Sequence, residues 1–455
     1  MKKLLAWLLA GAMAVSLFAG CGKSSGYQAK QELADSGDVT LTLVGMTPAF
    51  KAMESVIASF SRVYPNCTVE YEYLQDYQDN LPKRLKSNTD VDLFLTKNIT
   101  ADSPLLPYAL ELSAHSDALD LSGTYEGLIR NFTVTGSTGA QLYAVPMGGE
   151  LRGMYVNRTL LRTQGLSVPE NYAQLLDCCA ALKKAGYVPL QGNPGSFSQL
   201  LMYPYICGLV AGAKDYQTLY DRVDACEPGI SEVFREPMAR LYELVKNGYY
   251  NYKYVETTEQ TFLDGRDDTA AMNFLNIVST DGADPVKRDD VGQVAFMPGT
   301  MSLKSTLDKL KSDYHSEIDY TFILSPVSDG GGYAYLSPAT GIAVNRNSAH
   351  TEWALEFLNY LFTPEVNRAF AEEQNIIPNT AQALDVITDT FHVDDAHVCQ
   401  LGQVTFRYVF YDVVHQPLID VSKANNPKYM QPDGTMYDLE YYMAELESAF
   451  AAQRT

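Results

Sequence analysis

The densest group of side chains that could bind a metal ion lies between His392 and His397, with Asp394 and Asp395 enclosed. The spacing of the two histidines does not suit a helical metal-binding pair, and the acids do not match a calcium loop. We therefore expect a solvated loop here. The sequence predicts no metal site and no bound cofactor.

Patterns that would indicate catalysis are absent from the sequence as well. It contains no Gly-x-Ser-x-Gly nucleophile elbow, no His-Glu-x-x-His zinc motif and no Gly-x-x-x-x-Gly-Lys phosphate loop. Acid pairs such as Asp267-Asp268 and Asp289-Asp290 are chain neighbours. A glycosidase needs two carboxylates that face each other across the scissile bond, and adjacency does not provide this arrangement. The sequence therefore predicts a protein that is not an enzyme.

One cysteine near the N-terminus has the context of a modification site. A lysine pair and the apolar run Leu4–Val15 precede the small residues Ala19 and Gly20, which stand directly before Cys21. This order is typical of a signal peptide, and the small residues resemble the bacterial lipobox, in which the cysteine thiol receives a diacylglycerol. Phe18 departs from the motif, which usually has Leu there. The alternative is a secretory signal without lipid.

These features predict a signal peptide over residues 1–20 and a lipidated Cys21. The polar segment that follows, to residue 37, is expected to be a flexible tether between the lipid and the folded body. The apolar run is too short to cross a bilayer, and no later stretch has the length and apolarity of a membrane span. We therefore expect an extracytoplasmic protein that is anchored to the cell membrane through its lipid.

Composition narrows the class of partner. The 455 residues include 34 Lys and Arg against 55 Asp and Glu, which gives a formal charge of −21. A charge of this sign repels nucleic acids and anionic headgroups. The length predicts two or three domains, or one large body of two lobes, and the hydrophobic content of 46% is enough for a large core.

Seven cysteines are present, and the six that follow Cys21 allow too many pairings for disulfides to be assigned. Cys179 recurs with leucines at helical spacing, so it is predicted to be a buried thiol.

Apolar periodicity predicts alternating strands and helices in the first part of the chain. Strands are expected at Val39–Val44, Thr68–Tyr73 and Val91–Thr96, and helices at Met53–Val63 and Tyr77–Lys86. Such alternation indicates an α/β fold with a mostly parallel sheet. Ligands bind outside the carboxyl ends of such strands, which draws attention to Lys97 and Asn98. The alternative for both is a plain surface turn.

The pattern continues in the second half of the chain. We expect a strand at Met154–Asn157, a helix at Phe197–Leu209, and strands at Thr269–Asn273, Tyr320–Leu324 and Gly341–Asn345.

The motifs, taken together, resemble the extracellular solute-binding proteins of carbohydrate ABC transporters, and the resemblance spans nearly the whole mature chain. The following pieces carry it: Phe60 to Tyr64-Pro65, Val91-Asp92-Leu93-Phe94, Leu142-Tyr143-Ala144-Val145-Pro146, Met154-Tyr155-Val156-Asn157-Arg158, Gly186-Tyr187-Val188-Pro189-Leu190, Phe262 to Met272, Gly341-Ile342-Ala343-Val344 and Trp353 to Glu365. Each piece is unspecific, but their order and spacing are characteristic.

The resemblance implies an α/β clamshell of two lobes with a solute cleft between them. The N-terminal lobe is expected from 38–146 plus about 318–362, and the C-terminal lobe from 147–290 plus about 363–455. Residues 291–317 are expected to form an insertion or crossover. The resemblance also implies a sugar ligand. Trp is nearly absent, so the 31 tyrosines and 18 phenylalanines would have to supply the stacking faces.

The resemblance points to several ligand-binding residues. Glu150 stands four positions after Pro146, where the family often has a carboxylate that accepts hydrogen bonds from sugar hydroxyls. The alternatives are a solvated crossover residue or a partner for Arg152. Phe197 and Gln199 begin a helix that carries sugar contacts in the family, although Phe197 suits a helix core equally well.

Two further segments carry candidate ligand contacts. Asn273 and Phe274 lie near the position of the family's stacking aromatic residue, which Phe274 would replace. Tyr333 and Tyr335 follow the run Gly330–Gly332, whose flexible backbone would allow aromatic rings to reach a ligand; ordinary packing is the alternative.

We therefore expect a monomeric, lipid-anchored receptor that captures a sugar or oligosaccharide and delivers it to a membrane permease. Two alternatives are a secreted carbohydrate-active hydrolase and a lipoprotein that senses or adheres without feeding a transporter.

Overall fold

The computed structural model describes residues 27–87, 90–129, 132–136, 139–249, 268–277, 293–392, 398–399 and 409–454. The predicted signal peptide, Cys21 and most of the loop between His392 and His397 lie outside the described residues, as does the start of the expected insertion at 291–317.

Mixed strands and helices make up the described chain. The strands are β1 Val39–Gly45, β2 Cys67–Tyr73, β3 Leu93–Thr96, β4 Thr133–Gly136, β5 Gly139–Leu142, β6 Val145–Pro146, β7 Gly148–Asn157, β8 Val188–Leu190, β9 Val294–Thr300, β10 Tyr320–Ile323, β11 Ala334–Pro338, β12 Gly341–Val344, β13 Ile377–Pro378 and β14 Val398–Cys399. The α-helices are Gln31–Ala34, Lys51–Val63, Tyr77–Ser87, Glu126–Ile129, Arg158–Thr163, Tyr172–Lys184, Tyr203–Ala211, Tyr216–Asp224, Arg235–Lys246, Asp268–Phe274, Leu303–Asp313, Thr351–Leu361, Pro364–Gln374, Ala383–Phe391, His415–Ser422 and Leu439–Ala452. Short 3-10 turns occur at Leu106–Tyr108, Leu112–His115, Ile230–Phe234 and Pro427–Tyr429. Two π-helical turns occur at Ser196–Met202 and Phe410–Val414.

The chain divides into two compact units. The first contains the described residues up to Thr124 together with Val134–Val145 and Ile342–Phe370, and the second contains Tyr125–Thr133, Pro146–Gly341 and the described residues from Ala371 onward. Residues 318–341, which we assign to the N-terminal lobe from sequence, lie in the second unit. The reason is strand pairing, since β10 and β11 both pair with β7 of the second unit.

The first unit is built on a sheet of order β2-β1-β3-β12-β6. β1 pairs in parallel with β2 and β3, as the alternation of strands and helices predicts. On β1, Leu41 and Leu43 are fully buried. The helix Lys51–Val63 buries Met53, Val56 and Phe60, which lie on one face at helical spacing. The α/β fold expected from the sequence is confirmed.

The second unit is organised by β7, which pairs with four other strands. Its first half is antiparallel to β11 and β13, and its second half is antiparallel to β9 and β10. Close approach of the neighbouring backbone requires glycine at Gly153, where a Cβ atom would lie 2.3 Å from the carbonyl oxygen of Ile323. The sequence predicts only the second half of β7 as a strand.

The strand predicted at Thr269–Asn273 is wrong, because the chain forms the helix Asp268–Phe274 there. The buried residues Ala271, Met272, Phe274 and Leu275 recur at i, i+1, i+3 and i+4, which is a helical pattern. They pack in a core cluster with Tyr155. A short apolar run is ambiguous between strand and helix in sequence, and here the tertiary contacts favour the helix.

Five cysteines of the described residues, including Cys178 and Cys179, are buried thiols outside any disulfide. The prediction that Cys179 is a buried thiol is confirmed. Among the described residues, no helix is both long and apolar enough to cross a membrane.

The segment after Cys21 is not flexible over its whole length. Residues 27–36, which we call the strap, are docked on the first unit around the fully buried side chain of Glu356. The Tyr27 hydroxyl donates to Glu356 Oε1 at 2.5 Å, and Lys30 Nζ lies 2.8 Å from Glu356 Oε2. Tyr64 also donates its hydroxyl hydrogen to this carboxylate. The predicted flexible tether over 21–37 is therefore wrong for residues 27–36, because the strap supplies partners to a buried charge.

These partners outweigh the cost of burial. Burial acts to raise the pKa of Glu356, but the hydrogen bonds and the charge of Lys30 bring the net pKa below its usual range. The side chain of Asn66 holds the far end of the strap by donating to the carbonyl oxygens of Leu33 and Ser36.

We expect Lys30→Met to destabilise the protein, because it leaves the Glu356 carboxylate buried without its counter-charge. Since Lys30 is itself 40% exposed, the expected loss in the free energy of unfolding is about 1–3 kcal/mol, less than for a fully buried pair. A carboxyl with a lowered pKa stabilises the fold above its ordinary 4.5, and this contribution is lost as the pH falls through the folded-state value. The difference between wild type and Lys30→Met should therefore shrink in acid. Urea unfolding at pH 7 and pH 4 measures both effects.

The matched control is Lys86→Met, at an exposed lysine of the helix Tyr77–Ser87. In the double variant Lys30→Met/Glu356→Gln, part of the stability should return because the buried charge is gone. Equal losses for Lys30→Met and Lys86→Met would contradict the role of the strap.

Candidate functional site

The cluster that combines charged, polar and aromatic groups in the second unit surrounds Arg152 on β7. Successive side chains of a strand point to opposite faces, so Glu150 and Arg152 share one face while the fully buried Leu151 lies on the other. Arg152 Nη1 donates to the carbonyl oxygen of Gln199 at 3.1 Å. Its guanidinium carbon lies 5.4 Å from the ring centroids of both Tyr203 and Tyr335. The two ring centroids are 5.0 Å apart, so the guanidinium lies against a pair of rings that contact each other.

Two π-helical turns bring distant parts of the chain to this cluster. The first leads into the helix that begins at Tyr203, and the second leads into the helix that begins at His415. The rings of Tyr203 and Phe410 have centroids 3.8 Å apart, and Ser198 Oγ lies 2.7 Å from His415 Nδ1. π-Helical turns are rare in proteins and occur frequently at functional sites. The meeting of two such turns marks this region independently of its side-chain chemistry.

Glu150 lies beside Arg152 but is directed elsewhere. Its Oε1 accepts a hydrogen bond of 2.9 Å from the backbone N–H of Ser302, the residue that precedes the helix Leu303–Asp313. Burial raises the pKa of Glu150 above its usual range, although the hydrogen bonds from Ser302 and Thr300 and the charge of Arg152 oppose this shift. The carboxylate is thus half-buried and held in a state where its charge costs free energy.

His415 is neutral at physiological pH, because burial lowers its pKa below the ordinary 6.5. When the side-chain amide of Gln199 donates to Nε2 at 3.5 Å, the proton of the imidazole lies on Nδ1, which donates to the Ser198 hydroxyl at 2.7 Å. Tyr411 completes the group. Its ring centroid is 5.7 Å from that of His415, and the residue is 40% exposed. The cluster therefore offers hydrogen-bond donors and aromatic faces next to solvent.

The structure brings together three of the residues singled out in the sequence, Glu150, Gln199 and Tyr335, around Arg152. The interpretation of Glu150 as an ion-pair partner of Arg152 is only partly met: the two charges interact, but the carboxylate is bonded to Ser302.

Two other candidates are core residues. Phe197 and Phe274 are both fully buried, and Phe274 packs edge-on against Tyr155. Neither ring offers a ligand a free face in this conformation. Asn273 is half-buried on the helix Asp268–Phe274.

The remaining candidates are Tyr333 in the second unit and Lys97 and Asn98 in the first. Tyr333 stacks on Tyr205 with centroids 5.9 Å apart, and its ring lies against Gly208, where a Cβ atom would be 2.1 Å away. Lys97 is exposed and Asn98 is half-buried at the carboxyl end of β3 in the first unit. There the Thr96 hydroxyl donates to the Asn98 carbonyl oxygen at 2.7 Å, so the strand end is a closed turn.

Sequence reasoning missed Tyr203, Tyr411 and His415, and treated Arg152 only as a partner for Glu150. The alternation of Glu150 and Arg152 along a strand was the available signal. No periodicity links Ser198 to His415, which is 217 residues away in the chain.

Among the described residues, no group of three or more His, Cys, Asp or Glu side chains could hold a metal ion.

Comparison with known proteins gives a consistent family. The profile of the family described as bacterial extracellular solute-binding protein matches residues 45–368. No curated protein sequence matches the chain.

Solved structures of similar fold share little sequence with this chain. RafE from Streptococcus pneumoniae aligns with a TM-score of 0.62 at 16% identity, covering 94% of this chain and 100% of RafE. The GacH receptor of Streptomyces glaucescens aligns with a TM-score of 0.60 at 15% identity, covering 92% and 98%. The sugar-binding protein MalE from Xanthomonas citri aligns with a TM-score of 0.57 at 13% identity, covering 91% and 98%. At these identities the likeness establishes the fold.

We expect His415 to make the stability of the protein depend on pH. A histidine whose folded pKa lies below its ordinary 6.5 contributes stability that is fully present above that value and is lost as the pH falls through the folded pKa. The melting temperature of wild type should therefore fall more steeply between about pH 7.5 and 5 than that of His415→Asn. Asparagine keeps a hydrogen-bonding group for the Ser198 hydroxyl but does not titrate. The control is His115→Asn, at a half-exposed histidine of the first unit. Parallel pH profiles for wild type and His415→Asn would contradict the prediction.

Proposed function

Because the chain belongs to the bacterial extracellular solute-binding protein family, we propose that it captures a sugar or oligosaccharide and delivers it to the permease of an ABC transporter. The match of the family profile over residues 45–368 is the observation that carries this proposal. The fold neighbours support the choice of sugar, since RafE binds raffinose and the GacH receptor binds acarbose. As a member of a solute-binding family, the chain is a binding protein and not an enzyme.

The chemistry around Arg152 supports a sugar ligand. Sugar rings present apolar faces to aromatic side chains and hydroxyl edges to polar ones, and binding sites combine both kinds of contact. Tyr411 would supply an exposed ring face, and the buried ring of Tyr335 would pack against Arg152. Glu150, Gln199 and His415 would exchange hydrogen bonds with hydroxyl groups. Lys97 and Asn98, at the carboxyl end of β3 in the first unit, stay candidate ligand contacts.

We further propose that Cys21 carries lipid and attaches the protein to the extracytoplasmic face of the cell membrane. The support is the signal-peptide pattern and the small residues Ala19 and Gly20 before Cys21. A monomer is the simplest form for a receptor that meets a permease.

Cys21→Ser should abolish acylation, because the thiol is the group that accepts the diacylglycerol. We expect wild type to partition with membranes and the detergent phase, and the variant to be released in soluble form. Mass spectrometry of the mature N-terminus measures the lipid directly. A wild-type protein without lipid at Cys21 would contradict the proposed anchor, and would leave the sugar proposal unaffected.

The sugar itself is found by a thermal-shift screen of neutral and acidic mono- to tetrasaccharides. A ligand present at 100 times its Kd should stabilise the protein by about 2.7 kcal/mol. Stabilisation with the sugar recovered unchanged supports a receptor. Turnover of the sugar would favour a hydrolase, and binding without loss of uptake in a deletion strain would favour a sensing or adhesion protein.

With that sugar, Glu150→Gln should weaken binding by about 1.5–3 kcal/mol, because one charge-assisted hydrogen bond becomes neutral. This corresponds to roughly 10- to 150-fold in Kd by calorimetry. The ligand-free variant should be at least as stable as wild type at pH 7. A raised carboxyl pKa means that ionisation costs stability, and the cost appears as the pH rises through the ordinary 4.5 toward the folded value. Glutamine removes this cost and keeps an acceptor for Ser302.

Glu170→Gln, at an exposed position of the same unit, is the matched control and should change neither property. Equal sugar affinity in wild type and Glu150→Gln would remove Glu150 from the proposed site. A lower melting temperature of the ligand-free variant would instead make the residue structural.

A further inference from the structure

The charge of Arg152 is not neutralised within the cluster. A guanidinium has five N–H donors and stays protonated in proteins. Here it bonds to the carbonyl oxygen of Gln199 and to the side chain of Tyr411, both of which are uncharged groups. Among the residues that the structure describes, no carboxylate forms an ion pair with it. Burial of a cation without a counter-charge costs free energy. An arginine buried without an ion pair is therefore expected only where another interaction offsets that cost.

The neighbouring acid, Glu150, does not neutralise the charge of Arg152. The nearest described acidic group that interacts with Arg152 is Glu150. The charge of Arg152 is the smallest of the effects that act on the pKa of Glu150. The hydrogen bond from Ser302 turns the carboxylate toward a helix N-terminus. Because burial also raises the pKa of Glu150, its negative charge is disfavoured where it would be needed.

The aromatic residues around Arg152 do not neutralise its charge either. Burial raises the pKa of Tyr203 well above its usual range, so the phenol is neutral. Tyr335 is 5% exposed and contacts Tyr203 with ring centroids 5.0 Å apart. Two ring faces stabilise a guanidinium and hold its plane in place, but they leave its net charge intact. A planar, fixed guanidinium is the group best suited to bind a carboxylate or a similar oxyanion through two hydrogen bonds.

The cluster around Arg152 reaches the protein surface on one side. Gln199 and His415 are half-buried and Tyr411 is exposed, so the cluster borders solvent on that side. Attraction of an anion would be local to Arg152, because the chain as a whole carries a charge of −21 and would repel anions at longer range.

We propose that Arg152 binds an anionic substituent of the solute, so that the protein is selective for acidic sugars. The inference rests on the proposed function and narrows its substrate class. A uronic acid carboxylate and a sulfate ester present the same chemistry, that of an oxyanion on a sugar ring. Tyr411 and His415 would contact the ring that carries it, and the guanidinium would discriminate against neutral analogues.

The test compares acidic sugars with their neutral counterparts by titration calorimetry. One pair is trigalacturonate and its methyl ester, and the other is lactose 3′-sulfate and lactose. A wider set of neutral oligosaccharides that includes raffinose and maltose completes the panel. We expect at least one acidic member to bind roughly 10- to 150-fold more tightly than its neutral counterpart, the range of one charge-assisted contact. The pair that shows the preference identifies the anion as a carboxylate or a sulfate.

Variants separate the charge of Arg152 from its packing. Arg152→Met should abolish the preference for the acidic sugar. Arg152→Lys keeps the charge but loses the planar fork, so about tenfold of the preference should be lost and part should remain. The control is Arg162→Met, at an exposed arginine that pairs with Asp319 in the same unit. Circular dichroism checks folding, and Arg152→Lys still reports on the anion if Arg152→Met does not fold.

The outcomes distinguish this inference from the function on which it rests. Tight binding of a neutral sugar without preference for its acidic form overturns the inference and leaves the receptor proposal in place. A preference that survives in Arg152→Met or Arg152→Lys at its full size assigns the anion to another residue and also overturns it. If no acidic or neutral sugar binds, both the inference and the proposed receptor function are contradicted.

Discussion

The second unit depends on the hydrogen bonding of one strand. Every backbone N–H and C=O of a buried strand needs a partner, and β7 meets this requirement by pairing with β11 and β13 along its first half and with β9 and β10 along its second. Glycines on β7 allow the neighbouring backbones to approach. Because both edges of the strand are occupied, the direction of each side chain is set by the register, and Glu150 and Arg152 are held on one face with little freedom to turn away.

Two buried glutamates illustrate how surroundings decide the role of a residue type. Around Glu356, two tyrosine hydroxyls and the ammonium group of Lys30 converge, and the pKa falls despite burial. Around Glu150, the bonds come from Ser302 and Thr300, and burial prevails, so the pKa rises. The first carboxylate binds two parts of the fold to each other. The second carboxylate is ionised only at a cost in free energy, and carboxyl groups perturbed in this way occur often at functional sites.

Sequence reasoning predicted the first unit well and the site only in part, for a physical reason. Strands such as β1 and helices such as Lys51–Val63 carry their own periodicity, so local residues are sufficient to place them. The helix Asp268–Phe274 is short and apolar, and only its packing against Tyr155 separates it from a strand. The surroundings of Arg152 come from four separate segments of the chain. Glu150 and Gln199 could be proposed by resemblance, but the contact between Ser198 and His415 has no trace in local sequence.

The docked strap has a consequence for how far the protein could move from its anchor. With lipid on Cys21, only residues 22–26 would separate the membrane from Tyr27, which is attached to the first unit through Glu356. A fully extended chain spans about 3.6 Å per residue, so the segment 22–26 would reach roughly 20 Å. The first unit would then remain within about that distance of the lipid headgroups, with the surface near Tyr27 turned toward them. A receptor tethered in this way would reach its permease by lateral diffusion in the membrane plane. Its tilt would be restricted, because the short tether would not allow large excursions from the membrane.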